Sequence, residues 1–311
     1  MLYVQHVGRE VIHLIERRLT VGAHAPQRLV STAWLEARLS TPEVHPVEVR
    51  FSADTQDGSP GLIPGSVAVH WKRLLWDDYR REFATAETLS SRLFELGVGQ
   101  GTIPVFYGEE PQFGAYALWV LQARGLSENA RYLDGGLEAW HGLGLPLGTA
   151  VDVPARLAAD LPLSIPGADE INPFSTVAIG REELRESLHD AQSLLIDMRS
   201  PEEFSGERVT PWSMGFDHGA ERAGHIPGAV HLHIRDLLDD LGRVRPLEEL
   251  QATFEQVGLD SARQAITYCR LSHRASLGWL ILTDVLNTQG VRVYDGSWTE
   301  WGSVVGLPIE R

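Results

Sequence analysis

AITYCRLSHRASL, residues 265 to 277, carries the one cysteine of the chain at the point where an apolar run gives way to a polar turn. Ile266, Thr267 and Tyr268 suit a buried strand, and beyond Arg274 the residues Leu277, Leu280, Ile281 and Val285 recur at helical spacing. Cys269 is therefore expected between the end of a strand and the start of a helix. Backbone N–H groups in such a turn converge, and the helix N-terminus adds a positive end, so an anion is welcome there. Arg270 and Arg274 add two permanent positive charges, surroundings that favour a thiolate. A lone cysteine is also commonly a small buried hydrophobe, and the local residues leave both roles open.

Outward from this stretch the same alternation recurs. Ser31 or Thr32 is placed to cap a short helix running to Leu39, and HPVEVRF supplies a strand around Val47 and Val49. A helix is expected over residues 87 to 96, a strand over 103 to 107, a helix over 113 to 123, and a short strand at Tyr132 before the turn at Gly135 and Gly136. Strands alternating with helices predict an α/β fold with parallel-rich sheets flanked by helices.

The second half of the chain repeats the first. GLIPGSV at 61 matches GHIPGAV at 224, YLDGGLEAW at 132 matches VYDGSWTEW at 293, and GLPLG and GLPIE close the halves. Pro64 and Pro227 lie 163 apart, Asp134 and Asp295 161, and Pro146 and Pro308 162. Near-constant offsets imply duplication of one domain. The expected organisation is an extension of unassigned role at 1 to 25, a first domain at 26 to 149, a proline-punctuated linker at 150 to 173, and a second domain at 174 to 311. The second copy carries an insertion, since Asp197 to Pro227 spans 30 positions and Glu48 to Pro64 only 16. The extra residues lie within FSGERVTPWSMGFDHGAERA, a loop placed to shape access to a site. Aligning TIPVFYGEEPQFGAY with QAITYCRLSHRASL puts Tyr107 opposite Cys269 and Gly108 opposite Arg270, so the first copy is expected to be a scaffold without a nucleophile.

Composition narrows the function classes. With 27 basic and 42 acidic residues the formal charge is -15. That argues against general binding to nucleic acid or to anionic membranes. One cysteine allows no intramolecular disulfide, and no secretory leader or run of about 20 apolar residues is visible, so a cytoplasmic location is expected. His6, His13 and His24 lack the spacing of a metal site, and neither metal nor cofactor is expected.

LIDMRSPEEF, RAGHIPGAVHL, ITYCRLSHRAS and VYDGSWTEWGSVVGLPIE together resemble the catalytic domain of a tandem-domain rhodanese, a thiosulfate sulfurtransferase. LVSTAWL, IPGSVAVHW, VFYGEEPQFGAYALW and YLDGGLEAW resemble its inactive N-terminal copy, and the likeness spans roughly Leu29 to Arg311. The resemblance implies two rhodanese-like domains and a double displacement in which Cys269 takes the outer sulfur of a donor as a persulfide. It implies that Arg270, Leu271, Ser272, His273 and Arg274 form the substrate-binding loop, with Arg270 and Arg274 orienting the sulfonate of thiosulfate. Asp197 and Arg199 are expected to form an ion pair bracing that loop, with His225 also supporting it. The implied acceptors are cyanide, a small thiol or a thioredoxin-like protein. Alternatives are 3-mercaptopyruvate as donor, or a non-catalytic persulfide carrier or regulatory module. Cysteine phosphatases of the broader fold place five residues between cysteine and arginine, whereas here four separate Cys269 from Arg274 and Ala275 follows. Ser272 and His273 depart from the glycine and glutamate common in relatives, and Glu202 and Glu203 stand where some rhodaneses carry a further arginine. Trp298 and Trp301 are expected to pack behind the loop, with Trp212 and Phe51 at its entrance.

Overall fold

The alternating pattern folds into two parallel sheets of five strands. The computed structural model describes residues 28–52, 61–149, 160–165, 173–188, 190–213, 217–260 and 263–311. The extension at 1 to 25 with its three histidines, most of the expected linker, and part of the insertion lie outside the described residues. The first sheet contains β1 (Leu29–Val30), β2 (Val44–Arg50), β3 (Val67–His70), β4 (Ile103–Tyr107) and β5 (Arg131–Leu133), in the order β1-β5-β4-β2-β3. The second contains β6 (Ala178–Ile179), β7 (Ser193–Asp197), β8 (Val230–His231), β9 (Gln264–Tyr268) and β10 (Arg292–Tyr294), in the order β6-β10-β9-β7-β8. All strand pairings are parallel, and the two orders are the same.

Register corrects the expected alignment of the copies by one residue. Glu48 pairs with Tyr107 in the first sheet, and Asp197 pairs with Tyr268 in the second. The Tyr107 and Tyr268 hydroxyls accept from Ile63 N–H and Ile226 N–H, both at 3.2 Å. Gly108 O then accepts from Leu137 N–H as Cys269 O does from Trp298 N–H. The counterpart of Cys269 is therefore Gly108, and that of Tyr107 is Tyr268. Two apolar strands align almost equally well one residue apart, and only the cross-strand partners fix which register is right. A cysteine would not fit at Gly108, because a Cβ there would lie 2.8 Å from Glu110 O and 2.9 Å from Phe113 Cβ.

The helix Pro111–Ala123 follows β4 and is apolar on nearly every side, which predicts burial all round. Eleven of its residues are buried, and it packs against the helix His273–Leu280 that follows β9. One hydrophobic cluster therefore runs from Val47 and Trp119 in the first domain to Cys269 and Leu277 in the second. Arg28, at the start of the first domain, reinforces the seam by pairing with Asp284 while lying over Trp279. Trp298 and Trp301 are fully buried behind the cysteine loop, as their sequence context suggested, while Phe51 and Trp212 are exposed. Among the described residues no helix is long and apolar enough to cross a membrane.

Candidate active site

Cys269 stands directly after β9, the central strand, where ligands of open parallel sheets gather at the carboxyl ends. Its side chain is buried, its N–H donates to Ser297 Oγ at 3.2 Å, and its carbonyl accepts from Trp298 N–H at 2.9 Å. These bonds fix the cysteine backbone and leave the next turn free. Among the described residues, the N–H groups of residues 270 to 275 donate no hydrogen bond. Ser276 N–H is the next to be satisfied, by Ser272 O at 2.8 Å. A run of open donors at the mouth of an eight-residue helix is a ready site for negative charge.

Ser272 holds the left-handed conformation that starts this helix, with φ 71°. A residue with a Cβ pays roughly 1–2 kcal/mol for that geometry. Its hydroxyl compensates by lying 2.7 Å from both the carbonyl and a carboxylate oxygen of Asp295. The other oxygen of that carboxylate accepts from Arg81 of the first domain at 2.7 Å. His273 points away from the cysteine and into the first domain. Its ring meets Trp71 at 4.4 Å, Tyr116 at 4.5 Å and Phe113 at 4.9 Å, and its Nε2 is buried without a partner. Burial, with Arg81, Arg274, Arg270 and Lys72 adding positive charge, pushes its pKa down to about 3. The imidazole at this position is neutral at ordinary pH.

The two arginines differ in what they have left to offer. Arg274 donates to both oxygens of Glu203, at 2.7 and 2.9 Å, and Glu203 is fully buried. Burial alone would lower the arginine and raise the carboxyl; the pairing reverses both shifts. Glu203 also holds Ser200 N–H and Oγ, closing a capping box on the helix Pro201–Ser205. Arg270, by contrast, has no carboxylate within ion-pair distance among the described residues. It donates to His218 O in the inserted loop at 3.0 Å, and its Nε is buried without an acceptor. Gly219 permits this approach, since a Cβ there would sit 2.4 Å from the Arg270 guanidinium. Leu271 is half-buried between them.

Asp197 and Arg199 form a fully buried pair at 2.7 Å, and Arg199 also donates to Gly224 O at 2.7 Å and lies over the Trp298 ring. The pair thus ties the turn after β7 to the GHIPGAV segment and the layer behind the cysteine. His225 stacks on Phe204 at 3.8 Å, with Nδ1 2.8 Å from Phe204 O and Nε2 3.6 Å from Glu310, so it braces the short helix and the C-terminus. Sequence reasoning assigned no role in the site to Glu203, Asp295, Ser297, Gly219 or Arg81. Only Glu203 left a local trace, as the last residue of the S-x-x-E capping box. The others act across long stretches of chain.

A model of the rhodanese-like domain matches the chain twice, at residues 31–143 and 180–303. The chain belongs to the rhodanese-like domain family. Among curated relatives, the sulfur carrier protein TtuD of Thermus thermophilus is 34% identical, over 94% of this chain and 99% of its own. SseA of Mycobacterium bovis, provisionally named a thiosulfate sulfurtransferase, is 37% identical over 93% of each chain. The crystal structure of SseA from Escherichia coli, a 3-mercaptopyruvate sulfotransferase by its description, matches with TM-score 0.65 and 25% identity, over 88% of this chain and 99% of that one. At the end of the central strand the two copies of the domain diverge. In the second, Cys269 is followed by six N–H groups without an acceptor among the described residues, and the first has Gly108 in a space too tight for a side chain.

Proposed function

We propose that this sulfurtransferase takes the outer sulfur of thiosulfate onto Cys269 and passes it to cyanide, a small thiol or a thioredoxin-like protein. The Cys269 thiolate attacks the outer sulfur, the sulfur–sulfur bond of the donor breaks, and sulfite leaves with the bonding pair. The acceptor then attacks the terminal sulfur of the persulfide, the new sulfur–sulfur bond breaks, and the thiolate returns with its electrons. The observation that carries this proposal is the run of six unsatisfied N–H groups after a buried cysteine. Such donors stabilise a persulfide anion without reorganising during the reaction.

Arg270 is the cation we assign to the donor sulfonate, because Arg274 has two of its N–H groups engaged by Glu203. In this assignment Arg274 fixes the helix start and adds its field, and Leu271, Ser272 and His273 set the loop path. Incubating the purified protein with thiosulfate and weighing it intact is expected to show one added sulfur, absent in Cys269→Ser. A native protein that gains no sulfur would sink the proposal. Likeness to the E. coli enzyme favours a second donor, 3-mercaptopyruvate, which kcat/KM for the two donors decides. Arg270→Gly is expected to lower thiosulfate kcat/KM by about tenfold or more, as loss of a charged contact does, and to spare 3-mercaptopyruvate. Likeness to TtuD favours a carrier role, marked by a persulfide that forms but does not discharge to small thiols.

A further inference from the structure

Two consecutive residues of the cysteine loop, Ser272 and His273, are held from the first domain. His273 sits among Trp71, Phe113 and Tyr116. Ser272 reaches the same assembly through Asp295, whose carboxylate takes the Ser272 hydroxyl on one oxygen and Arg81 on the other. Arg81 in turn lies over Trp76 at 4.2 Å. Trp76 packs edge-on against Trp71 at 4.7 Å, and its Nε1 donates to the Tyr116 hydroxyl at 2.9 Å. One contiguous patch of the first domain therefore holds two consecutive residues of the loop that begins at Cys269.

We propose that Arg81 is a positioning residue for the cysteine loop, acting through Asp295 on Ser272. Ser272 is a residue with a Cβ in left-handed backbone, so its conformation needs an anchor, and Asp295 supplies it through its carbonyl and a carboxylate oxygen, each 2.7 Å from the hydroxyl. Both acceptors are in turn held from the first domain. Arg81 does this with two nitrogens, Nη1 at 2.7 Å from Oδ2 and Nη2 at 3.3 Å from the Asp295 carbonyl. The pair lines an open cavity of about 260 Å³ together with Glu82, Phe83, Arg124 and Phe174. Side-chain exposures of 36% and 19% make it a weak glue for the fold. Its consequence lies instead in where the six open N–H groups point. In this view the copy without a cysteine sets the shape of the cradle in the copy that has one.

The proposal rests on Cys269 being the reactive residue of the proposed function, and its test separates the two. A double-mutant cycle combines Arg81→Ala with Ser272→Ala. It reads the limiting rate of persulfide formation from thiosulfate and, independently of any sulfur chemistry, the rate of Cys269 alkylation by iodoacetamide. Arg81→Ala is expected to slow persulfide formation about tenfold, with half-saturation by donor within about twofold of native, and to change alkylation by a similar factor. Arg81→Lys restores the rate to within about threefold, because the charge returns without the second nitrogen. In the Ser272→Ala background, Arg81→Ala is expected to change either rate by less than about twofold.

A native rate in Arg81→Ala overturns the proposal. So does an undiminished loss in the Ser272→Ala background, which would mean that Arg81 acts on the thiol through space. Should Arg81→Ala lose its cooperative melting transition, Arg81→Gln takes its place in the same cycle. If native protein forms no persulfide, the proposed function falls, and the alkylation cycle still decides the role of Arg81.

Discussion

An imidazole enclosed by three aromatic rings, with no partner for Nε2, makes His273 a titratable group that the fold keeps uncharged. Burial is the main cause of its pKa near 3, and four surrounding cations reinforce it. The unfolded chain, with an ordinary histidine, binds a proton below pH 6.5 that the folded chain refuses. Stability tied to His273 is therefore complete above pH 6.5 and lost as pH falls toward 3, by at most about 1.4 kcal/mol per pH unit. His273→Phe, which keeps the ring contacts and removes the proton, is expected to gain in melting temperature over the native protein as pH drops from about 7 to 5. Calorimetry at those two values checks it, and a difference that does not change with pH would refute it. At this scale the sequence disclosed Cys269, because it stands alone of its kind beside two arginines. The destination of the His273 side chain was not legible, since its partners lie about 160 to 200 residues away in chain, among Trp71, Phe113 and Tyr116.

Elements were more legible than contacts, since period and capping residues are local properties. The expected strand at 103 to 107 is β4, and the helix expected from Phe113 begins two residues earlier with Pro111 at its first turn. What local pattern left open was how the short final helix, Ser297–Trp301, is held behind the cysteine. Arg222, at the end of the inserted loop, does this by donating to the carbonyls of Trp301, Gly302, Val304 and Leu307 at 2.7 to 3.1 Å. These are the kind of carbonyls that a helix end leaves without partners. Its own carbonyl accepts from Trp298 Nε1 at 3.0 Å. Arg222→Ala is expected to cost about 2–4 kcal/mol in urea unfolding, and Arg222→Lys to recover only part, because an ammonium is a compact point donor that cannot span the four carbonyls a guanidinium reaches. Since Ser297 Oγ accepts from Cys269 N–H, persulfide formation is expected to slow in both variants. A variant with native midpoint and native rate would show that the helix end holds without this guanidinium.

Duplication was visible in the whole chain because three motif pairs kept nearly one offset, yet the offsets could not show that the two copies clasp each other. Asp295 of the second copy receives Arg81 of the first, and its counterpart Asp134 receives Val244 N–H of the second at 2.9 Å. The clasps carry different charge. Asp295 has a guanidinium partner, whereas Arg243 beside Asp134 bonds to its own neighbour Asp239. Burial raises the Asp134 carboxyl from 3.8 to about 6, against the opposing pull of Val244 N–H and Arg243. The folded state thus holds this proton more tightly than the unfolded one, and the associated stability is lost as pH rises from 3.8 through about 6. Asp134→Asn keeps the acceptor for Val244 and removes the charge. It is expected to melt about 2–6 °C higher than native at pH 7.5, corresponding to about 1–2 kcal/mol, with the gain vanishing toward pH 4. A gain that persists unchanged at pH 4 would mean that the asparagine helps through packing and that Asp134 carries no strained charge. The sign is opposite to that of His273, which loses stability on acidification, so between about pH 4 and 6 the two contributions oppose each other and the stability tied to this seam changes little with pH.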